Sequence, residues 1–236
     1  MVKSIVIKSF LMSFEENRVL LIKAIQNGNV QEVIRLIPFS DPKFNGSEAL
    51  SVAAECGQVE CVKCLIPVSD PKANNSSALQ CAATQGYAEC VKLLIPLSDA
   101  KGEGSLALRY ATLNGHAECV RLLIPVSDPG VHNSIMLQQA ANGGHTECVK
   151  LLIPVSDPKA NNSAALRAAV WRNHTTCIDL LYPVSDPHAA LHQLQLNHPG
   201  NVNVWGNFEQ RIAQEQNKKL NNEIRQPENP TIVRKM

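Results

Sequence analysis

Cysteine and histidine carry the most obvious chemistry in this chain. Eight cysteines occur among 236 residues, and Cys61 with Cys64 makes a Cys-x-x-Cys step, the spacing of a zinc half-site or a redox pair. His116, His145 and His174 each follow Gly115, Gly144 or Asn173. A further set, His192, His198, Trp205 and Glu209, offers a base, an acid and an aromatic wall toward the C-terminus. The first two groups recur. Cys61 shares its register with Cys90, Cys119, Cys148 and Cys177, while Cys64 stands where other copies have Leu93, Leu122, Leu151 and Leu180. An active site is one unique constellation, whereas residues that return at a fixed interval read as structure. Both cysteines of the step are therefore expected to be buried, small apolar groups, and the histidines to hydrogen-bond at helix junctions. No second ligand pair stands at metal-site spacing, and no Ser-His-Asp set, Gly-rich phosphate loop or paired carboxylate escapes the repetition. The C-terminal set shows no convincing mutual positioning. The chain reads as non-enzymatic, with no metal and no cofactor.

What positions these residues is a repeat. Leu65-Ile66-Pro67-Val68-Ser69-Asp70-Pro71 returns in variant form so that Pro38, Pro67, Pro96, Pro125, Pro154 and Pro183 follow one another every 29 residues. A strict period in the range of about 20 to 50 residues marks a solenoid. Proline lacks an N–H and disfavours the α region for the residue before it, so the preceding helix is expected to stop there. Ser-Asp-Pro then supplies a polar turn.

Each unit reads as a pair of helices. Ser47, Ser76, Ser105, Ser134 and Ser163 precede apolar helical patterns and are expected as N-caps. Leu50, Leu79, Leu108, Leu137 and Leu166 follow, then Ala53, Ala82, Ala111, Ala140 and Ala169 on the same face, small enough for close helix approach. Gly57, Gly86, Gly115 and Gly144, with Asn173 in the sixth unit, stand where the first helix ends in a left-handed residue. The second helix, as in Glu118-Cys119-Val120-Arg121-Leu122-Leu123, buries Cys, Val and Leu and wets Glu and Arg. Thiols one unit apart, on helices about 8 to 10 Å apart, are too distant to bridge. Free thiols fit a reducing compartment, so a cytoplasmic setting is expected.

The organisation is an all-α helical-pair solenoid. An N-terminal extension or cap covers residues 1–16, six units cover 17–187, capping helices cover 188–226, and a disordered tail covers 227–236. Unit 1 is degenerate: Glu32 and Arg35 replace cysteine, as suits an end unit with one face in water. Met1 to Met12 is apolar, but lysines interrupt it and no small-residue cleavage site follows; it reads as a loosely packed cap. His188 to Leu196 reads as a last first helix after a turn shortened by four residues, and Asn207 to Arg225 as a polar helix with Phe208, Ile212, Leu220 and Ile224 on its sparse apolar face. A net charge of +1 gives no electrostatic reason to expect nucleic acid or a membrane surface. With 44% hydrophobic but only 4% aromatic residues, the core must be aliphatic.

Leu79, Ala82, Ala83, Gly86, Glu89, Val91, Leu93 and Leu94 fall at the spacings of the ankyrin repeat, and residues 17 to 187 resemble that family. The departure is length. The family's unit is about 33 residues and opens Thr-Pro-Leu-His; this one reads Ser-x-Ala-Leu, and the shortening falls where the family forms its β-hairpin, so short loops are expected instead. The resemblance implies a monomeric protein-interaction module whose first helices line the concave partner surface. The residues that vary there include Arg109, Tyr110, Leu113, Gln138, Gln139, Asn142, Arg167, Trp171 and Arg172, rich in the Arg, Tyr and Trp of interface hot spots. Alternatively, Tyr110 and Trp171 fill gaps between units and the arginines are solvated. The short near-identical units also resemble bacterial effectors delivered into a eukaryotic host cytoplasm, where such arrays tether or modulate a host protein.

Overall fold

A computed structural model of the chain describes residues 13–127 and 135–225. The Met1 to Met12 cap, the Ser134 N-cap and the Pro227 to Met236 tail lie outside the described residues. Within them the chain is a procession of helix pairs: α1 (Phe14–Gln26) with α2 (Val30–Leu36), α3 (Phe44–Glu55) with α4 (Val59–Leu65), α5 (Ala73–Gln85) with α6 (Ala88–Leu94), α7 (Gly102–Leu113) with α8 (Ala117–Leu123), α9 (Ile135–Gly143) with α10 (Thr146–Leu152), and α11 (Ala160–Trp171) with α12 (Thr175–Leu181). Two helices follow, α13 (Pro187–Asn197) and α14 (Val202–Arg225). No strand occurs among the described residues, so the connections are turns, as the short unit requires.

The core runs unbroken along the stack. Leu50, Leu79, Leu108, Leu137 and Leu166 are fully buried, as are Val62, Val91, Val120 and Val149, and each such side chain contributes roughly 1.5 to 3 kcal/mol. Ala53, Ala82, Ala111, Ala140 and Ala169 are also fully buried. Small side chains let backbones come close, and the first helices touch their neighbours more extensively than the second helices do. The stack therefore closes up along its first-helix row. At the outset Ser13 and Glu16 form a reciprocal capping box, and in α2 the ion pair of Glu32 and Arg35 occupies the position of the later cysteines.

Two local expectations are corrected. Proline does end each α-helix, but the residue before it stays helical: Ile37, Ile66, Ile95, Ile124 and Ile153 lie at φ −46° to −49° and ψ −47° to −52°. The chain tightens into a 3₁₀ turn, as at Ile66–Val68, because the ring that blocks the i−4 bond fits near the start of a new, narrower turn. Nor do the serines cap their own helices. Ser47, Ser76 and Ser163 are buried and left-handed, at φ 64°, 62° and 54°. Their hydroxyls accept the N–H of Asp70 at 2.8 Å, Asp99 at 2.9 Å and Asp186 at 2.8 Å, 23 residues on.

These serines end a single left-handed turn. Asn74, Asn75 and Ser76 lie at φ 48°, 57° and 62°, and Asn161, Asn162 and Ser163 repeat the geometry. Left-handed backbone costs roughly 1 to 2 kcal/mol per ordinary residue and least for Asn. The offset is a set of bonds: Ser76 N–H to the Lys72 carbonyl at 3.1 Å, Gln80 Nε2 to the Asn75 carbonyl at 2.7 Å and Asn74 Nδ2 to the Asn45 carbonyl at 3.3 Å. In the polar turn just before, the Asp70 carboxylate accepts the N–H of Lys72 at 3.0 Å.

The left-handed residue closing each first helix is present at Gly57, Gly86, Gly115, Gly144 and Asn173. Gly115 shows a second reason for glycine. A Cβ there would sit 2.4 Å from Nδ1 of His145 in the next unit. The ring lies on the glycine face, and its Nε2 meets the Leu113 carbonyl at 3.0 Å.

At the C-terminal end, Asp186 caps α13 by accepting from the N–H of His188 and Ala189. Helix α14 begins at Val202, earlier than Asn207, and Phe208 and Ile212 are buried. Phe208 meets Tyr182 edge-on at 6.2 Å, and Arg211 pairs with Asp179 at 2.7 Å. Leu220 does not join this face: it is 56% exposed, and the side chain of Ile224 lies outside the described residues.

Candidate interaction surface

The reactive-looking residues are held by the repeat. His116, His145 and His174 place Nε2 at 2.9, 3.0 and 3.1 Å from the carbonyls of Thr84, Leu113 and Asn142. A carbonyl only accepts, so Nε2 carries the proton, and each histidine joins its unit to the one before. All eight cysteines are unpaired. Burial pushes Cys119 and Cys148 up to about 11 and raises Cys61, Cys90 and Cys177 as well. Such thiols are poor nucleophiles and poor metal ligands at neutral pH. Cys64 departs from the expectation: it is half-buried, because its register faces the edge of the stack, where Leu93, Leu122 and Leu151 are also only partly covered. No group of three or more His, Cys, Asp or Glu gathers as for a metal among the described residues.

The C-terminal set does not assemble. His192 and Glu209 are exposed, Trp205 directs its indole N–H to the His198 carbonyl at 3.3 Å, and the His198 ring stacks on Trp171 with centroids 4.0 Å apart.

The variable first-helix residues fall into register rows along the stack. Arg109, Gln138 and Arg167 share one row, Tyr110 and Gln139 a second, and Leu113, Asn142 and Trp171 a third, 29 residues apart. Arg109, Leu113, Gln138, Asn142 and Arg172 are exposed, while Tyr110, Gln139, Arg167 and Trp171 are half-buried. A hollow of about 210 Å³ brings Gln138, Asn142, Arg167 and Trp171 together with Leu194, Asn197 and His198. Arg109, Tyr110, Leu113, Gln139 and Arg172 do not line it. Arg172 instead donates from Nε to Asn142 Oδ1 at 3.1 Å, a link between units.

Sequence reasoning passed over Leu194, Asn197 and His198. Once α13 is aligned as a first helix, the shortened turn carries the Arg167 row on to His192 and the Trp171 row on to Leu196, so Leu194 and Asn197 follow from continuing the pattern. His198 had no such signal, since it stands one residue beyond α13.

Arg167 is the least ordinary of these groups. One terminal nitrogen donates to the Asn161 carbonyl at 3.1 Å, while its buried Nε has no partner. Burial lowers the guanidinium's pKa, with no carboxylate to offset it. The Gln139 side-chain oxygen is likewise buried and unpartnered. Other hollows are one of about 330 Å³ under α14, lined by Val170, Ile178, Phe208 and the other side of Trp171, one of about 560 Å³ beside Phe14, Arg18 and Phe44 at the opposite end, and one of about 200 Å³ between Tyr182, His188 and Glu215.

A family model described as ankyrin repeats (3 copies) matches residues 67–136 and again residues 108–190. The chain belongs to the ankyrin-repeat family. The human ASB11 ankyrin repeat domain is a similar solved structure, with a TM-score of 0.61 and 23% identity, over 70% of this chain and 82% of that one. At that identity the likeness is one of fold. No curated protein sequence matches. Ankyrin repeats are generic protein–protein interaction modules, and that is the class to which this array of helix pairs belongs. No helix among the described residues is long and apolar enough to cross a membrane.

Proposed function

We propose that this ankyrin-repeat protein binds a partner protein along the exposed side of its first helices, over Arg109, Tyr110, Leu113, Gln138, Gln139, Asn142, Arg167, Trp171 and Arg172. The observation that carries the reading is the hollow of about 210 Å³ in which Gln138, Asn142, Arg167 and Trp171 meet. Elsewhere the repeat fills its outward positions with paired charges: Glu60 with Lys63 at 2.6 Å, Glu118 with Arg121 at 3.2 Å and Glu147 with Lys150 at 2.7 Å. On the first-helix side the equivalent positions hold an indole, a phenol, amides and arginines, with polar atoms left unsatisfied. The exposed guanidinium of Arg109 and the exposed amides of Gln138 and Asn142 are free to hydrogen-bond an arriving partner.

On this reading the protein acts by binding and catalyses no reaction; five of its eight cysteines are buried in the core, and no catalytic set assembles around the other three among the described residues. Eight unpaired cysteines support a reducing compartment. The test is co-purification from cell extract with the intact protein beside an Arg109→Gln, Arg167→Gln variant that melts at the same temperature. A protein retained only by the intact form is expected. Equal retention by both forms would refute the assignment of these residues.

A further inference from the structure

Charge is sorted between the two helix rows. The second helices carry the acidic residues Glu60, Glu89, Glu118 and Glu147, each followed three residues later by Lys63, Lys92, Arg121 or Lys150. The first helices differ from unit 3 onward: α5, α9, α11 and α13 contain no Asp or Glu, and α7 has Glu103 alone. On the same row stand Arg109, Arg167 and Arg172. Among the described residues none of these three arginines pairs with a carboxylate. A chain with a net charge of +1 thus shows a locally basic strip. Arg167 stands out because it is half-buried with an unpartnered Nε, in a hollow that also presents Trp171 and the amides of Gln138 and Asn142.

Resting on the first-helix reading above, we propose that the partner element is an extended acidic peptide segment, with carboxylates on Arg109 and Arg167 and an apolar side chain in the hollow beside Trp171. A guanidinium fork matches a carboxylate in two parallel hydrogen bonds. Gln138, between the two arginines in the same row, offers an amide that donates to and accepts from a peptide backbone. The spacing follows from the repeat. Packed helices stand about 8 to 10 Å apart, so Arg109 and Arg167, two units apart, are separated by roughly 16 to 20 Å. An extended strand rising about 3.3 Å per residue covers that distance in about five or six residues. The ligand therefore carries two acidic residues at that separation. Nucleic acid is the poorer fit, since a phosphate backbone needs an unbroken line of cations and this row alternates arginine with glutamine.

The experiment is a selection of ten-residue peptides from a random displayed library on the full-length protein, followed by anisotropy titration of the selected peptides. Arg167→Gln, Arg109→Gln and Asn142→Phe proteins are titrated alongside, with a single-stranded DNA oligomer as a second probe and circular dichroism to verify folding. Expected are peptides enriched in Asp and Glu at a spacing of five or six. Their binding should weaken about tenfold or more in each arginine variant and fall as salt rises. Neutral or basic peptides that are displaced only by Asn142→Phe would overturn the acidic ligand and leave the surface standing. Peptides indifferent to all three variants, or no selected peptides, would remove both readings. Tighter, arginine-dependent binding of the DNA would replace the peptide with a nucleic acid.

Discussion

Replacing Gly115 with alanine probes the joint between units 4 and 5 at one atom. Gly115 lies at φ 76°, where an alanine costs roughly 1 to 2 kcal/mol. Its new Cβ would also stand 2.4 Å from His145 Nδ1, closer than the ring can tolerate. His145 must then move and surrender its bond to the Leu113 carbonyl, worth about 0.5 to 1.5 kcal/mol. The sum is a loss of about 1.5 to 3.5 kcal/mol. In a His145→Ala background the contact is gone, so Gly115→Ala should cost only the backbone strain, and the two changes should be coupled by about 1 kcal/mol. Urea unfolding of the four proteins, followed by far-UV circular dichroism, measures the cycle. A cost for Gly115→Ala that is unchanged by His145→Ala would refute the stacked joint.

Four further outcomes follow from the same geometry. Ser76→Ala keeps the Cβ, and so the backbone strain, but strands the Asp99 N–H that donates to the hydroxyl at 2.9 Å; it should cost about 1 to 3 kcal/mol in urea unfolding, and a neutral effect would restore the local N-cap. Leu123→Ala, at a fully buried position, should cost about 2 to 5 kcal/mol, and a loss below about 0.5 kcal/mol, typical of surface sites, would contradict the register. In the native protein at neutral pH, thiol labelling should reach Cys56, Cys64 and Cys81 before the five buried cysteines. Because burial raises Cys119 and Cys148 to about 11, the folded state keeps their protons after the unfolded chain has lost them. Their stabilisation is full below the ordinary thiol range and is lost as pH rises through it toward about 11. A Cys119→Val, Cys148→Val protein should lose less stability over that window, and an unchanged slope would contradict the assignment.

The periodicity made the helix pairs legible because one interval sets both the buried Leu, Ala and Val positions and the left-handed glycines. Every copy corroborates the next. The serines mislead because their partners are remote. Ser76 looks like an N-cap from its neighbours alone, yet its partner Asp99 is 23 residues away. The signal that could have corrected this was the tolerance of Asn74 and Asn75 for left-handed backbone just before it. Proline chemistry alone predicts that Ile66 leaves the helical region before Pro67, but a 3₁₀ turn satisfies both residues. The hollow was half legible. Arg167 and Trp171 stood out as variable positions, while the His198 stack on Trp171 depends on how α13 ends, which no repeat specifies. That stack also makes Trp171 a poor lone probe of binding, since its loss would disturb the C-terminal cap.

The most direct measurement is a paired photo-crosslinking experiment in cell extract, with the photoreactive residue at Asn142 on the first-helix side or at Arg121 on the second-helix side, both exposed. The account predicts a discrete protein adduct from Asn142 that disappears with Arg109→Gln, Arg167→Gln, and none from Arg121. An adduct formed from Arg121 alone would place the partner on the opposite side and contradict it.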